Sequence, residues 1–121
     1  MSTIDDLAAA REPEVATTMK DGTPGFVRFW TVRVGDDIYA RSFKGPSGAW
    51  YTSAIERGRT TLRIDGREIP VTVEMVGPEL REEIDGAYEA KYGANPSDRE
   101  YVVPMLLDGA VATTVRLKPE E

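Results

Sequence analysis

The sequence predicts a mainly β fold, an antiparallel β-barrel with accessory helices, formed by one domain over residues 1–121. Three observations lead to this prediction. Several stretches alternate apolar and polar residues, as half-buried strands do. Short connections at Gly35–Asp37 and Asp65–Gly66 are typical of hairpins. Helical periodicity is confined to a few segments, so strands joined by hairpins dominate, and they favour a closed or partly closed barrel.

The first half of the chain begins with a predicted helix over residues 3–10, which Pro13 ends. A short strand follows at Val15–Met19. Alternating side chains then predict one continuous strand over Phe26–Val34 and a returning strand over Ile38–Phe43. These two strands together predict a hairpin.

The middle of the chain contains a helix and a second hairpin. We predict the helix at Ala49–Arg57, because Gly58 is a good terminator. Alternation on both sides of Asp65–Gly66 predicts two strands, the second reaching Met75. Pro70 lacks a backbone N–H, so it is expected at a sheet edge or a bulge.

The last third contains the clearest helical pattern. Apolar residues recur at every fourth position and predict a helix over Glu79–Tyr92; they are Leu80, Ile84, Tyr88 and Tyr92. Ser97 is a candidate cap for a further short helix, which we expect Pro104 to break. Renewed alternation predicts a final strand over Ala110–Lys118.

Composition excludes several kinds of chemistry. The chain has no cysteine and no histidine. A disulfide framework, a thiolate nucleophile, a Ser-His-Asp triad and a site with Cys or His metal ligands are therefore impossible within one chain. Adjacent acids at Asp5–Asp6 and Asp36–Asp37 lack the spacing of a calcium loop, so we predict no metal site.

The charge balance indicates which partners to expect. A net charge of -6 disfavours binding to nucleic acid or to an anionic membrane, because both need a basic surface. The segment Met1–Leu7 lacks the basic and apolar regions of a signal peptide, so we expect a cytoplasmic protein.

One region carries a resemblance to known proteins. Trp30–Ser42 reads WTVRVGDDIYARS; it is followed by Lys44-Gly45, by Gly48-Ala49-Trp50-Tyr51 and by Arg59–Val73. This layout resembles the split-barrel flavin proteins, in particular the deazaflavin-dependent nitroreductases and, more distantly, the pyridoxamine phosphate oxidases. It is most similar to the bacterial domain-of-unknown-function family 2255, which also shares the segment Ala87–Gly93. The resemblance implies an FMN-binding split-barrel-like fold, and it covers nearly the whole chain.

The resemblance also implies a candidate cofactor site. In the cofactor-binding relatives, a basic and hydroxyl-rich segment holds the cofactor phosphate, and aromatic residues at the next helix flank the ring. The matching residues in this chain are Arg41, Ser42, Lys44, Trp50 and Tyr51, with Thr52 beside them and Tyr88 as a further candidate donor. Arginine offers a planar fork to phosphate, lysine a point charge, and a helix start offers free N–H groups.

Each of these residues also has a structural interpretation. Arg41, Ser42 and Lys44 lie near a strand end, where exposed basic residues blunt a sheet edge. Trp50 and Tyr51 are alternatively core and rim residues, and Tyr88 a packing residue of its helix.

Three functional hypotheses follow. The first is a split-barrel protein that binds FMN, a deazaflavin or another planar phosphate-bearing small molecule at a homodimer interface, with oxidoreductase activity supplied by the cofactor. The second is a cofactor-free binding or structural module of the same fold. The third is a cofactor-free enzyme that uses a tyrosine or carboxylate. No residue stands out from the sequence as catalytic.

Overall fold

A computed structural model describes residues 3–10, 13–19, 21–93 and 96–120. The helices and strands, in chain order, are α1 (Thr3–Ala9), β1 (Glu14–Thr18), β2 (Pro24–Arg28), β3 (Thr31–Val34), β4 (Asp37–Ala40), α2 (Ala49–Arg57), β5 (Arg59–Ile64), β6 (Arg67–Met75), α3 (Arg81–Tyr92), α4 (Pro96–Met105), α5 (Asp108–Val111) and β7 (Val115–Pro119). Short 3-10 turns precede α2 and α3, at Gly45–Ser47 and Pro78–Leu80.

The strands form one seven-stranded sheet in the order β2-β1-β5-β6-β7-β4-β3. Every neighbouring pair is antiparallel. In the part of the chain that the structure describes, β2 and β3 each pair on one side only, so they are the two edges of the sheet.

The connection between the two edge strands requires the sheet to curl. β2 ends at Arg28 and β3 begins at Thr31, so only Phe29 and Trp30 separate them. Three Cα–Cα steps span at most about 11 Å. A flat sheet of seven strands would hold its edges roughly 29 Å apart. The sheet therefore closes on itself as a partly closed barrel, which confirms the predicted fold class.

The barrel interior is filled by alternate side chains of the strands. In β6, Ile69, Val71 and Val73 are buried while Glu68 and Pro70 are exposed. The other strands and the helices α1 and α2 complete this interior core with Leu7, Val15, Phe29, Ile38, Ala40, Trp50, Tyr51, Ala54, Leu62, Val115 and Leu117.

A second core lies between the outer face of β3 and β4 and the helices that follow β6. Tyr39 points to this side, whereas its neighbours Ile38 and Ala40 belong to the interior core. The helix α3 contributes Ile84, Tyr88 and Tyr92. The later helices add Val102, Met105 and Ala110. The strand β4 is therefore buried on both faces.

The predicted single strand over Phe26–Val34 is wrong. The chain forms two strands that lie at opposite edges of the sheet and meet at Phe29–Trp30. The physical reason is strand pairing. Alternation continues through the link, because Phe29 belongs to the interior core and Trp30 packs against the outer core. β2 nevertheless pairs with β1 and β3 pairs with β4, so the chain changes from one sheet edge to the other between them.

The predicted strand over Ala110–Lys118 is wrong in its first half. The chain forms the short helix α5 and then β7. The hydroxyls of Thr113 and Thr114 donate to the carbonyls of Ala110 and Val111, at 2.6 and 2.7 Å. Such local side-chain hydrogen bonds compete with strand pairing and close the helical turn.

Other predicted boundaries shift by a few residues. The helix predicted from Glu79 begins as a 3-10 turn, and α3 starts at Arg81. Pro104 does not break α4 but lies one residue before its end, where little helix remains to be interrupted. Ser97, the predicted cap, is the second residue of α4.

Pro70 lies in a central strand, but at the place where pairing on one side ends. It is opposite Thr61 of β5, and the last pair with β7 is Val71 with Pro119. The carbonyl of Pro70 accepts from the N–H of Glu120, at 2.9 Å. The missing N–H therefore points past the end of β7, and the ladder loses nothing.

The interior core predicts a large difference between two leucine substitutions. Leu117 is fully buried in β7, whereas Leu107 is 59% exposed. Leu117→Ala should lower the free energy of unfolding by about 2–5 kcal/mol, because it leaves a cavity in the barrel. Leu107→Ala is the matched control and should change it by at most about 0.5 kcal/mol. Urea unfolding followed by circular dichroism measures both, and equal losses would contradict the assigned core.

Candidate functional site

A cleft of about 440 Å³ opens beside the link between the two edge strands. It is bounded by the end of β2 and the link, by the segment after β4, by the start of α2 and by α4. The lining residues are Arg28, Phe29, Trp30, Arg41, Phe43, Trp50, Asp98, Tyr101 and Met105. Its volume lies in the range of ligand pockets, about 300–1,000 Å³.

Aromatic rings form most of the walls. Phe29 and Trp50 meet edge to face with ring centroids 5.2 Å apart. At the mouth, the rings of Phe43 and Tyr101 lie 6.0 Å apart and are 50% and 49% exposed. The cleft is thus apolar at its base and offers two solvent-facing aromatic rings at its entrance, an arrangement suited to a flat aromatic ligand.

One buried cation lies in the wall of the cleft. Arg41 is 1% exposed. Its Nε donates to the hydroxyl of Thr114 at 3.0 Å. Its Nη1 donates to a carboxylate oxygen of Asp85 at 2.6 Å and to the carbonyl of Met105 at 2.9 Å. No acceptor among the described residues reaches Nη2. An unpaired buried donor costs free energy, so this nitrogen is chemically significant.

The hydroxyl of Tyr88 connects β4 to the link. It accepts from the backbone N–H of Arg41 at 3.0 Å and donates to the carbonyl of Trp30 at 3.2 Å. The side chain is fully buried. Burial raises the pKa of Tyr88 well above its usual value, chiefly because a phenolate would be desolvated there. The hydroxyl therefore keeps its proton and both hydrogen bonds.

The last turn of α3 binds the backbone of Thr31, the first residue of β3 after the link. Lys91 Nζ donates to the carbonyl of Thr31 at 2.7 Å, and the hydroxyl of Tyr92 donates to the same carbonyl at 3.2 Å. The ring of Tyr92 also stacks on Trp30, with centroids 4.0 Å apart and planes 5° from parallel. Helix α3 thus fixes the backbone that forms one wall of the cleft.

The structure brings two of the predicted site residues, Arg41 and Trp50, into the lining of the cleft. Ser42 is buried and does not line the cleft, and its N–H donates to the Thr113 hydroxyl at 2.8 Å. Tyr51 lies in the interior core, edge-on to Trp50. Tyr88 does not line the cleft, but its hydroxyl binds the backbone of two lining residues, Arg41 and Trp30.

The remaining predicted residue, Lys44, lies on the exposed loop that follows Phe43. It does not line the cleft. The loop then packs closely at Gly48, where a Cβ atom would overlap the Ser42 hydroxyl. A larger residue at this position would require the buried Ser42 hydroxyl to move.

Sequence reasoning missed most of the lining. Phe29 and Trp30 carried a usable signal, because two adjacent bulky aromatics indicate a chain segment that is buried on both faces. Asp98, Tyr101 and Met105 carried none, since only the packing of α4 brings them to the cleft.

A second, more polar groove of about 630 Å³ lies over β1, β2 and β5. Its arginines are partly neutralised within the chain. Arg63 pairs with Glu14 at 2.9 Å, and Arg59 pairs with Glu120 at 2.8 Å. The hydrogen bond from Arg63 lowers the pKa of Glu14 below its usual value. We therefore regard the aromatic cleft as the stronger candidate site.

The described residues contain no group of three or more acidic side chains placed to hold a metal ion. Within the same ranges, no helix has the length and apolar character needed to cross a membrane.

Comparison with solved structures identifies the class of fold. The structure is similar to a haem storage protein, HutZ, from Vibrio cholerae (TM-score 0.67, 13% identity, covering 98% of this chain and 88% of that one). It is also similar to an F420 reductase (TM-score 0.59, 13% identity, 100% and 96%) and to an FAD-binding protein from Mesorhizobium loti (TM-score 0.55, 18% identity, 100% and 91%). The fold is the split barrel of flavin-binding proteins.

The family follows from sequence. The chain belongs to the family described as "Uncharacterized protein conserved in bacteria (DUF2255)", whose profile matches residues 3–117. The resemblance predicted from the sequence is therefore confirmed. No protein of curated function matches the chain.

The two hydrogen bonds of Tyr88 predict that its hydroxyl stabilises the fold. Tyr88→Phe leaves the buried N–H of Arg41 without its acceptor and should lower the free energy of unfolding by about 1–3 kcal/mol. Tyr101→Phe removes a hydroxyl from a half-exposed ring and should have little effect.

The stability that Tyr88 contributes should also depend on pH. An unfolded tyrosine ionises near pH 10, while folded Tyr88 keeps its proton, so its contribution is complete below about pH 10 and is lost above it.

The gap in stability between the wild type and Tyr88→Phe should therefore shrink as the pH rises above about 10. Urea unfolding between pH 8 and 11 measures it. A gap that stays constant over this range would contradict the buried position of the hydroxyl.

Proposed function

We propose that this protein binds a planar heteroaromatic small molecule of the flavin type in the aromatic cleft. The observation that carries the proposal is the composition of the cleft wall, where several aromatic rings line the cleft together with the buried guanidinium of Arg41. Flat rings gain most from stacking and edge contacts with such walls, and a few fixed polar groups then set their orientation.

The residues present fit a flavin or a deazaflavin. Arg41 supplies a buried donor without an acceptor, Trp50 and Phe43 supply ring contacts, and the cleft volume suits a three-ring system. We propose that Ser42, Tyr51 and Tyr88 support this wall, and that Lys44 on the exposed loop contacts a ligand phosphate. FMN or a deazaflavin bound here would supply hydride or electron transfer. Oxidoreductase activity is proposed on that basis, because the cofactor carries out this chemistry and needs no histidine or cysteine from the chain.

The proteins of similar fold give additional support to the proposal. Their names associate them with F420, FAD or haem, each of which contains a planar conjugated ring system.

A second candidate is a binding module of the same fold that uses no cofactor. One observation favours it. The fork of Arg41 is largely occupied by Asp85, Thr114 and Met105, so it cannot clamp a phosphate with two parallel hydrogen bonds.

We also propose that two copies of the chain associate over the mouth of the cleft. The half-exposed rings of Phe43 and Tyr101 lie there, and large apolar side chains at a surface often mark an interface. Sedimentation equilibrium should give twice the mass of the chain. A monomer at concentrations of about 100 μM would contradict the proposal.

The ligand proposal predicts binding of a flavin by the purified protein. The visible spectrum is recorded alone, and FMN or a deazaflavin is then titrated while its fluorescence is followed. We expect saturable quenching, and Tyr101→Ala should weaken affinity by roughly tenfold because one stacking partner is lost. Met75→Ala, at an exposed residue outside the cleft, is the matched control and should leave affinity unchanged. A colourless protein that quenches neither compound would favour the cofactor-free module.

A further inference from the structure

We infer that Arg41 Nη2 binds a neutral ring carbonyl of the ligand, so that the carbonyl edge of the ring enters the cleft first and any phosphate stays at its mouth. This inference rests on the proposed function, because it concerns the ligand of the same cleft. It assigns to Arg41 a different role from the phosphate contact that the resemblance implies.

The guanidinium of Arg41 is held in one position. Its Nε and Nη1 are bound by Thr114, Asp85 and Met105, which belong to three different parts of the chain. It also lies over the ring of Tyr88, 5.5 Å from the centroid. A group held from several sides cannot rotate to seek an acceptor, so an acceptor must come to it.

The Nη2 nitrogen of Arg41 is a donor without an acceptor among the described residues. Solvent does not reach this nitrogen. Arginine remains charged at any pH a protein meets, so this donor cannot be removed by deprotonation. Arg41 lines the cleft together with Met105, whose unbranched side chain can move aside at low cost. An oxygen that enters through the cleft is therefore the acceptor that completes the guanidinium.

The positive charge of Arg41 is already balanced by Asp85. Asp85 already pairs with Arg41 at 2.6 Å, and its side chain is 29% exposed while that of Arg41 is 0% exposed. A phosphate brought to Nη2 would add up to two negative charges beside an ion pair that is already balanced. A neutral carbonyl adds a hydrogen bond without adding charge. Flavins and deazaflavins carry such carbonyls at one end of the ring and their phosphate on the side chain.

The test compares two planar tricyclic probes, riboflavin, which has ring carbonyls and no phosphate, and phenazine, which has no carbonyl. Both are titrated into wild-type protein and into Arg41→Lys, which keeps the charge but lacks Nη2. We expect riboflavin to lose at least tenfold in affinity and phenazine to change by less than threefold. Arg57→Lys, an exposed arginine of α2, is the matched control. FMN should lose affinity in Arg41→Lys by the same factor as riboflavin, because the inference gives Arg41 no phosphate contact.

A second measurement uses the wild type alone, so that a variant that does not fold leaves the inference testable. Riboflavin should shift the side-chain Nη2 proton resonance of Arg41 downfield, and phenazine should not. Equal losses for both probes in Arg41→Lys, or an Nη2 resonance that riboflavin leaves unmoved, would overturn the inference while the proposed function stands. If neither probe nor FMN binds the wild type, the proposed function itself has failed and the inference falls with it.

Discussion

The link of two residues between β2 and β3 is the constraint on which the rest of the structure depends. Because it joins the two edges of a seven-stranded sheet, the sheet has to curl until those edges approach each other. Phe29 then lies in the interior core, and Trp30 stacks on Tyr92 in the outer core. One short segment thereby connects the two hydrophobic cores of the molecule.

The aromatic cleft is a consequence of this closure. The edge strands come together at the link without pairing along their length, and the space beside them is bordered by β4, α2 and α4. Helix α3 stabilises the arrangement through hydrogen bonds from Tyr88, Lys91 and Tyr92 to carbonyls of the link and of β3. The same helix provides Asp85, which holds Arg41 in the cleft wall. Fold and site therefore depend on the same contacts.

Sequence periodicity was sufficient where an element buries one face against one neighbour. The helix Ala49–Arg57 and the hairpin around Asp65–Gly66 form as predicted. It failed at Phe29–Trp30 and at Thr113–Thr114, because alternation does not reveal which sheet edge a strand joins or when threonine hydroxyls bind the backbone. At the site, the family resemblance indicated Arg41 and Trp50. Tyr101 and Met105 could not be predicted, since they reach the cleft only through the packing of α4.

The most direct test of this account is a nuclear Overhauser measurement between aromatic side chains. It asks whether Phe29 and Trp30, adjacent in sequence, contact different cores. The account predicts cross-peaks between the rings of Phe29 and Trp50, and separately between those of Trp30 and Tyr92, whose centroids lie 5.2 and 4.0 Å apart. If the Trp30 ring instead showed contacts to the barrel interior, or none to Tyr92, the link would not close the sheet in the way described.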